Sequence, residues 1–251
     1  MTTSLLNSLL RALLRWGAAL VFCLPLRHRS HFWARACGML FPLLLLAQLL
    51  DPLAQSTTLW QQQLLLLALY ISFFALLGGM IYLCTDINKK GAMYCAVWSL
   101  LIAQCAYEGW CFLELQFARY GHPLNMASPW AVLVQLLSGA VFFAAVYLLL
   151  ARQLPYKGEY HIGPRQLFSA FFIGILFMVQ AAVLDNFRAE QFPRSVIATI
   201  LIGQFYFITL LYFQSELFKK SAMEKEMNAL NLLYERQRQQ YQVARQNVQI
   251  I

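Results

Sequence analysis

The chain has 251 residues, 60% of them hydrophobic and only 12% charged, with a formal net charge of +8. For a soluble domain these values are extreme; for a membrane protein they are ordinary. The basic residues stand in short clusters between apolar runs, which points to membrane surfaces rather than to nucleic acid.

The first apolar run, from about Leu5 to Leu26, carries Arg11 and Arg15, four apart and so on one helix face. It is expected either to cross the membrane or to lie in its interface as an amphipathic helix. No small-residue cleavage site follows it, so it reads as retained. A basic connection with Arg27, Arg29 and Arg35 leads into a second span, about Phe32 to Leu50, with a kink expected at Pro42. Asp51 to Gln63 has no Lys or Arg, and a third span follows over about Leu64 to Cys84.

After Lys89 and Lys90, the fourth span runs from about Gly91 to Phe117 and holds Gln104, Glu108 and Glu114. A turn-rich loop from Arg119 to Ser128 precedes the fifth span, about Pro129 to Leu150. A basic loop with Arg152, Lys157 and Arg165 leads to the sixth, about Gln166 to Leu184. The seventh runs from about Ser195 to Leu217 and continues into a polar helix without Pro or Gly. The expected fold is all-α: a polytopic membrane bundle of six to seven spans over residues 1–217, then a cytoplasmic coiled-coil helix over 218–251.

In that last segment Met223, Met227, Leu230, Tyr234, Gln237, Tyr241, Ala244, Val248 and Ile251 step alternately by four and three. This is an a/d heptad seam with one polar member, Gln237. Such a seam needs a partner, most simply a second copy of the same helix. With the coil set inside, inner connections carry Arg27, Arg29, Arg35, Lys89, Lys90, Arg152, Lys157 and Arg165, against Arg119, Arg188 and Arg194 outside. That bias predicts a multi-pass cell-membrane protein with a cytoplasmic C-terminus.

Enzyme signatures are missing: the sequence has no GxGxxG, Walker-type loop, HExxH or GxSxG. No catalytic residue is therefore assigned. Cys23, Cys37, Cys84, Cys95, Cys105 and Cys111 lie in or beside apolar runs without CxxC pairing, and they read as small hydrophobes. No metal or cofactor is expected in this chain. Glu108 lies 18 residues beyond Lys90, about 27 Å along a helix and close to the outer membrane boundary. Gln104 and Glu108 share a face, so an outward pocket lined by Gln104, Glu108 and Glu114, with Arg119, Asp185 and Arg188 at its rim, is the candidate ligand site. Ordinary interhelical hydrogen bonding would account for the same residues without a ligand.

The segment LNLLYERQRQQYQVARQNVQII resembles the coil that precedes the phosphoacceptor box in GHKL, Agr-type sensor histidine kinases of Gram-positive bacteria. The likeness rests on Leu232-Leu233, Gln237 to Gln240, Tyr241 and the Asn247 to Ile250 step. It implies a homodimer, a small extracellular ligand or peptide, and a response regulator as partner through a kinase domain. The family's phosphoacceptor and ATP-binding residues correspond to nothing in these 251 residues. A membrane scaffold that recruits another protein through its coil, or a small transporter, are the other readings.

Overall fold

The computed structural model describes residues 2–53, 59–119, 129–152, 162–187 and 194–249. Among them the chain is all-helical, without a strand. The helices are α1 (Thr2–Cys23), α2 (Phe32–Gly38), α3 (Leu40–Leu53), α4 (Leu59–Cys84), α5 (Lys89–Arg119), α6 (Pro129–Val146), α7 (Pro164–Phe187) and α8 (Arg194–Gln249). A π-helical turn, Tyr147–Ala151, follows α6 directly. The chain divides into two compact units, Met1–Leu211 and Tyr212–Ile251.

Among the described residues, three helices are long and apolar enough to cross a membrane: Leu64–Cys84, Lys89–Ala118 and Trp130–Ala151. Shorter apolar stretches occupy Phe32–Gln48 and Pro164–Gln180. Helices suit such a setting because they satisfy their backbone groups internally where no water is available. Their hydroxyl side chains follow the same rule. Ser72, Thr85 and Ser99 donate to the carbonyls of Ala68, Ile81 and Cys95, one turn back in each case.

The centre of the first unit is α5. It packs against α1, α4, α6 and α7, and 67% of its apolar span is buried, against 17% for Trp130–Ala151. Nearly every residue from Tyr94 to Cys105 is inside, with Trp98 fully enclosed. A helix buried on all sides needs no polar face, which is why α5 lacks amphipathic periodicity over that stretch. Outer helices invert the soluble pattern. Leu133, Leu137 and Val141 on α6, and Phe168, Phe172 and Ile175 on α7, are exposed, as lipid-facing residues are.

The first helix packs into this bundle, against α3, α4, α5 and α6. Ala12, Ala18, Ala19, Phe22 and Cys23 are completely buried. This is a different placement from a helix lying apart in the membrane interface. Small residues make it possible. A Cβ on Gly17 would lie 2.9 Å from the Phe143 ring, and one on Gly139 would lie 3.2 Å from Leu14, so α1 and α6 approach where side chains are absent.

The second apolar run breaks earlier than its proline. The helix stops at Gly38, turns at Met39 and resumes at Leu40. The Pro42 ring clashes with the carbonyl four residues back, which is that of Gly38, so the break falls there.

The connections after α1 and α4 lie side by side. Arg29 N–H donates to the Cys84 carbonyl at 3.0 Å, and Asp86 N–H to the Arg27 carbonyl at 2.9 Å. These bonds close an isolated antiparallel bridge between His28 and Thr85. Arg35 adds a 2.9 Å bond to the Leu83 carbonyl, and Arg29 an ion pair at 3.7 Å to Asp86. The basic residues 27–35 and the start of α5 therefore share one end of the bundle. His31 enters α2 with φ at 57°, in the left-handed region, while Trp16 ties α2 to α1 through a 2.7 Å bond to the Ala36 carbonyl.

The α1–α6 contact yields a direct test. Gly17→Ala is expected to destabilise the folded protein by about 1–3 kcal/mol, as overpacking does. Thermal unfolding in detergent should also show Gly17→Ala and Phe143→Leu costing less together than the sum of the two alone.

Candidate functional site

The polar residues that an apolar bundle should avoid are gathered between α1, α4 and α5. Arg11 and Arg15 are one turn apart on α1. Gln104, Tyr107 and Glu108 lie on one flank of α5, again one turn apart. α1 and α5 run antiparallel: Arg11 meets Tyr107, and eleven residues later Phe22 meets Trp98 with ring centroids 6.1 Å apart. This register lays the arginine pair along the polar flank of α5.

Each guanidinium is held by specific groups. Arg11 donates from Nη2 to the Tyr107 hydroxyl at 2.7 Å, with its Cζ 4.8 Å from the same ring's centroid. Arg15 is only 6% exposed, and its Cζ stands 3.9 Å from the centre of the Phe73 ring on α4. Stacking on an aromatic face suits a guanidinium better than an ammonium, because it is planar and weakly hydrated. Glu108 is 2% exposed and accepts from Gln104 Nε2 at 3.0 Å. Arg11, Leu14, Arg15, Tyr70, Gln104 and Tyr107, together with Ala103, line a small cleft.

Electrostatics makes this layer consequential. A charged group taken from water into a low-dielectric interior costs several kcal/mol unless hydrogen bonds and an opposite charge offset it. The layer supplies both: a carboxylate, two guanidiniums, an amide, a phenol and aromatic faces. It can hold a polar or charged group at a depth where the surroundings are apolar. Among the described residues no cluster of His, Cys, Asp and Glu could hold a metal ion.

Of the residues expected at the ligand site, Gln104 and Glu108 are brought together and turned inward. Glu114 is half-buried further along α5. The side chains of Arg119 and Asp185, and Arg188 as a whole, lie outside the described residues. The neighbours of the pair across the cleft were not assigned to the site: Arg11 and Arg15, with Tyr107 and Phe73 against them. Their signal was in the sequence as two matching spacings, Arg11/Arg15 and Gln104/Glu108, each four apart in separate apolar runs. Buried opposite charges seek each other, so the pairing of those two runs was there to be read.

The coil residues fall in the second unit. Met223, Met227, Leu230, Tyr234, Gln237 and Tyr241 are all exposed along α8, with Tyr241 at 78%. Ala244 and Val248 lie in the helix, their side chains outside the described residues, as is Ile251.

Comparison with family models, with curated proteins and with solved structures finds no match to this chain.

Removing the phenol hydroxyl isolates one contact of the layer. Tyr107→Phe keeps the ring under Arg11 and deletes the acceptor, and it should cost about 1.5–3 kcal/mol, the range for bonds to charged groups. Glu108→Gln should be milder than Glu108→Leu, since only the former keeps an acceptor for Gln104. Unfolding midpoints of the variants in one detergent check both statements.

Proposed function

We propose that this chain is the membrane-embedded sensor and dimerisation region of a two-component histidine kinase of the GHKL, Agr-type class. In this reading the membrane bundle has six to seven spans and the C-terminus is cytoplasmic. A small ligand or peptide reaches the bundle from outside and alters its packing around α5. The seventh span, in α8, passes that change into a parallel coiled coil that sets the geometry of two kinase domains.

The observation that carries the reading is α8. It runs without interruption from Arg194 to Gln249, 56 residues. Its first part is rich in Ile, Leu, Phe and Tyr, and its last part is polar with apolar residues at heptad spacing. Every described side chain from Met223 to Gln242 is exposed. A helix of that length with an uncovered a/d seam is marginal by itself and gains its stability from a partner. The pairing of the basic connection 27–35 with the 85–90 connection at one end of the bundle supports the charge bias used to orient it. The phosphoacceptor histidine and ATP-binding domain that this function requires have no counterpart in these 251 residues.

The same exposed seam also suits a scaffold that recruits a different protein, and one experiment separates the two. Tyr234→Cys and Tyr241→Cys are introduced singly into the full chain in membranes and oxidised. The sensor reading expects disulfide-linked homodimers at both seam positions and far fewer at Gln239→Cys, which stands opposite the seam. Absence of dimers at both Tyr234→Cys and Tyr241→Cys removes the parallel coil. Capture of a second protein in preference to self-association favours the scaffold.

A further inference from the structure

One end of the bundle is a basic surface. Residues 24–40 and 82–96 hold five basic side chains, Arg27, Arg29, Arg35, Lys89 and Lys90, against one acid, Asp86. The five are not equivalent. Arg29 serves the fold, through its 3.7 Å ion pair to Asp86 and a guanidinium carbon 5.1 Å from the centre of the Tyr82 ring. Arg35 holds the Leu83 carbonyl. Arg27, Lys89 and Lys90 are exposed, and among the described residues they form no ion pair. α5 opens with both lysines and no acid in its first turn, so its own amide dipoles add to their charge.

Backbone bonds keep the three cations together. The Arg27 carbonyl accepts from Asp86 N–H at 2.9 Å. Lys89 follows Asp86 by three residues, a reach of at most about 11 Å. Asn88 Oδ1 accepts from Gly91 N–H at 2.7 Å and fixes the turn into α5. Exposed apolar side chains border the cations. Leu24 precedes Arg27 by three residues, Met93 follows Lys90 by three, and Trp33 stands edge-on to Phe32 in α2. All three are exposed, Trp33 by 60%. The connection 85–88 joins Leu64–Cys84 to Lys89–Ala118, two helices of membrane-crossing length. Its level is therefore that of the lipid head groups, where tryptophan gathers in membrane proteins.

We infer that this end of the bundle is a docking surface for anionic phospholipid, with Arg27, Lys89 and Lys90 on the head-group phosphates and Trp33 against the adjoining hydrocarbon. Charge complementarity asks for an anion. The apolar border asks for an anion that carries hydrocarbon. A nucleic acid or a soluble phosphate ester meets the first demand and leaves Leu24, Trp33 and Met93 in water; a phospholipid meets both. Lysine reads phosphate as a point charge and arginine as a planar fork, so the mixed set suits a phosphodiester. Each such cation at an anionic leaflet strengthens attachment about fivefold. The backbone bonds between the two connections hold the surface in shape before lipid arrives, which keeps the ordering cost of binding low. The inference goes beyond the sensor reading and does not depend on it.

The test uses the full chain in nanodiscs of phosphatidylcholine mixed with phosphatidylglycerol, at low ionic strength. One of the two lipids carries brominated acyl chains, which quench nearby tryptophan. Trp33 emission is the difference between the chain and its Trp33→Phe variant. At equal mole fraction, phosphatidylglycerol is expected to occupy the Trp33 position at least about fivefold more strongly than phosphatidylcholine, and added salt should lower that ratio. Arg27→Gln, Lys89→Gln and Lys90→Gln together should bring it below about twofold, with Lys89→Gln or Lys90→Gln alone lowering it part-way. Arg27→Lys, Lys89→Arg and Lys90→Arg together keep the charges and should retain it. Lys225→Gln with Arg236→Gln removes two exposed charges from α8 and should leave it unchanged. Unfolding midpoints of these variants in detergent should match that of the unaltered chain, because the altered side chains are exposed. Equal quenching by the two lipids in the unaltered chain overturns the proposal. So does a preference that survives the triple Gln variant, or that falls as far in the α8 variant. Loss of the preference on adding soluble glycerol phosphate overturns the lipid assignment in favour of a free phosphate ester.

Discussion

Two guanidiniums inside an apolar helix bundle constrain everything around them. Arg11 and Arg15 cannot be buried at random, because each lost hydration shell must be replaced by acceptors, an opposite charge or a polarisable ring. α5 and α4 provide those groups in one register, with Tyr107, Gln104 and Glu108 on the first and Phe73 on the second. Sliding α1 by one turn along α5 would carry Arg11 away from the Tyr107 hydroxyl. The polar layer thus sets the register that the surrounding Ala, Leu and Phe contacts only tighten. Hydrocarbon packing alone tolerates several alignments, since lipid tails are as apolar as leucine.

The remaining helices follow from that centre. α3, α4 and α6 close around α1, α7 covers another side of α5, and the glycines at positions 17, 139 and 174 admit the close approaches. The outward faces of α6 and α7 are left apolar, a surface that lipid can solvate and water cannot. At one end, the paired connections around His28 and Thr85 clamp α1 and α2 to α4 and α5 through backbone bonds. A bundle clamped at one end and polar in its middle has its adaptable groups in the layer between.

Much of the helical plan was legible in sequence, because the length of an apolar run and its polar punctuation are local properties. The expected fourth and fifth spans coincide with α5 and with α6 plus its π-helical turn to within a few residues. The break in the second run was placed at Pro42 and occurs at Met39, since a proline disrupts the turn before it. The inward face of Gln104 and Glu108 was legible as an i,i+4 pair. Its partners on α1 were not assigned, because Arg11 and Arg15 were weighed against lipid and water, not against another helix.

Composition, spacing and charge by themselves determined an all-helical chain with helices of membrane-crossing length, a polar C-terminal helix with a heptad seam, and a carboxylate on α5. Those follow from the hydrophobic effect and the helical period, which act along the chain. Tertiary structure alone decided that α1 belongs inside the bundle, that its arginines lie along the polar flank of α5, and that Gln135 and Trp110 are buried. The reason is physical: a buried charge is stable only where another element supplies its partners, and which element does so is settled by packing in three dimensions.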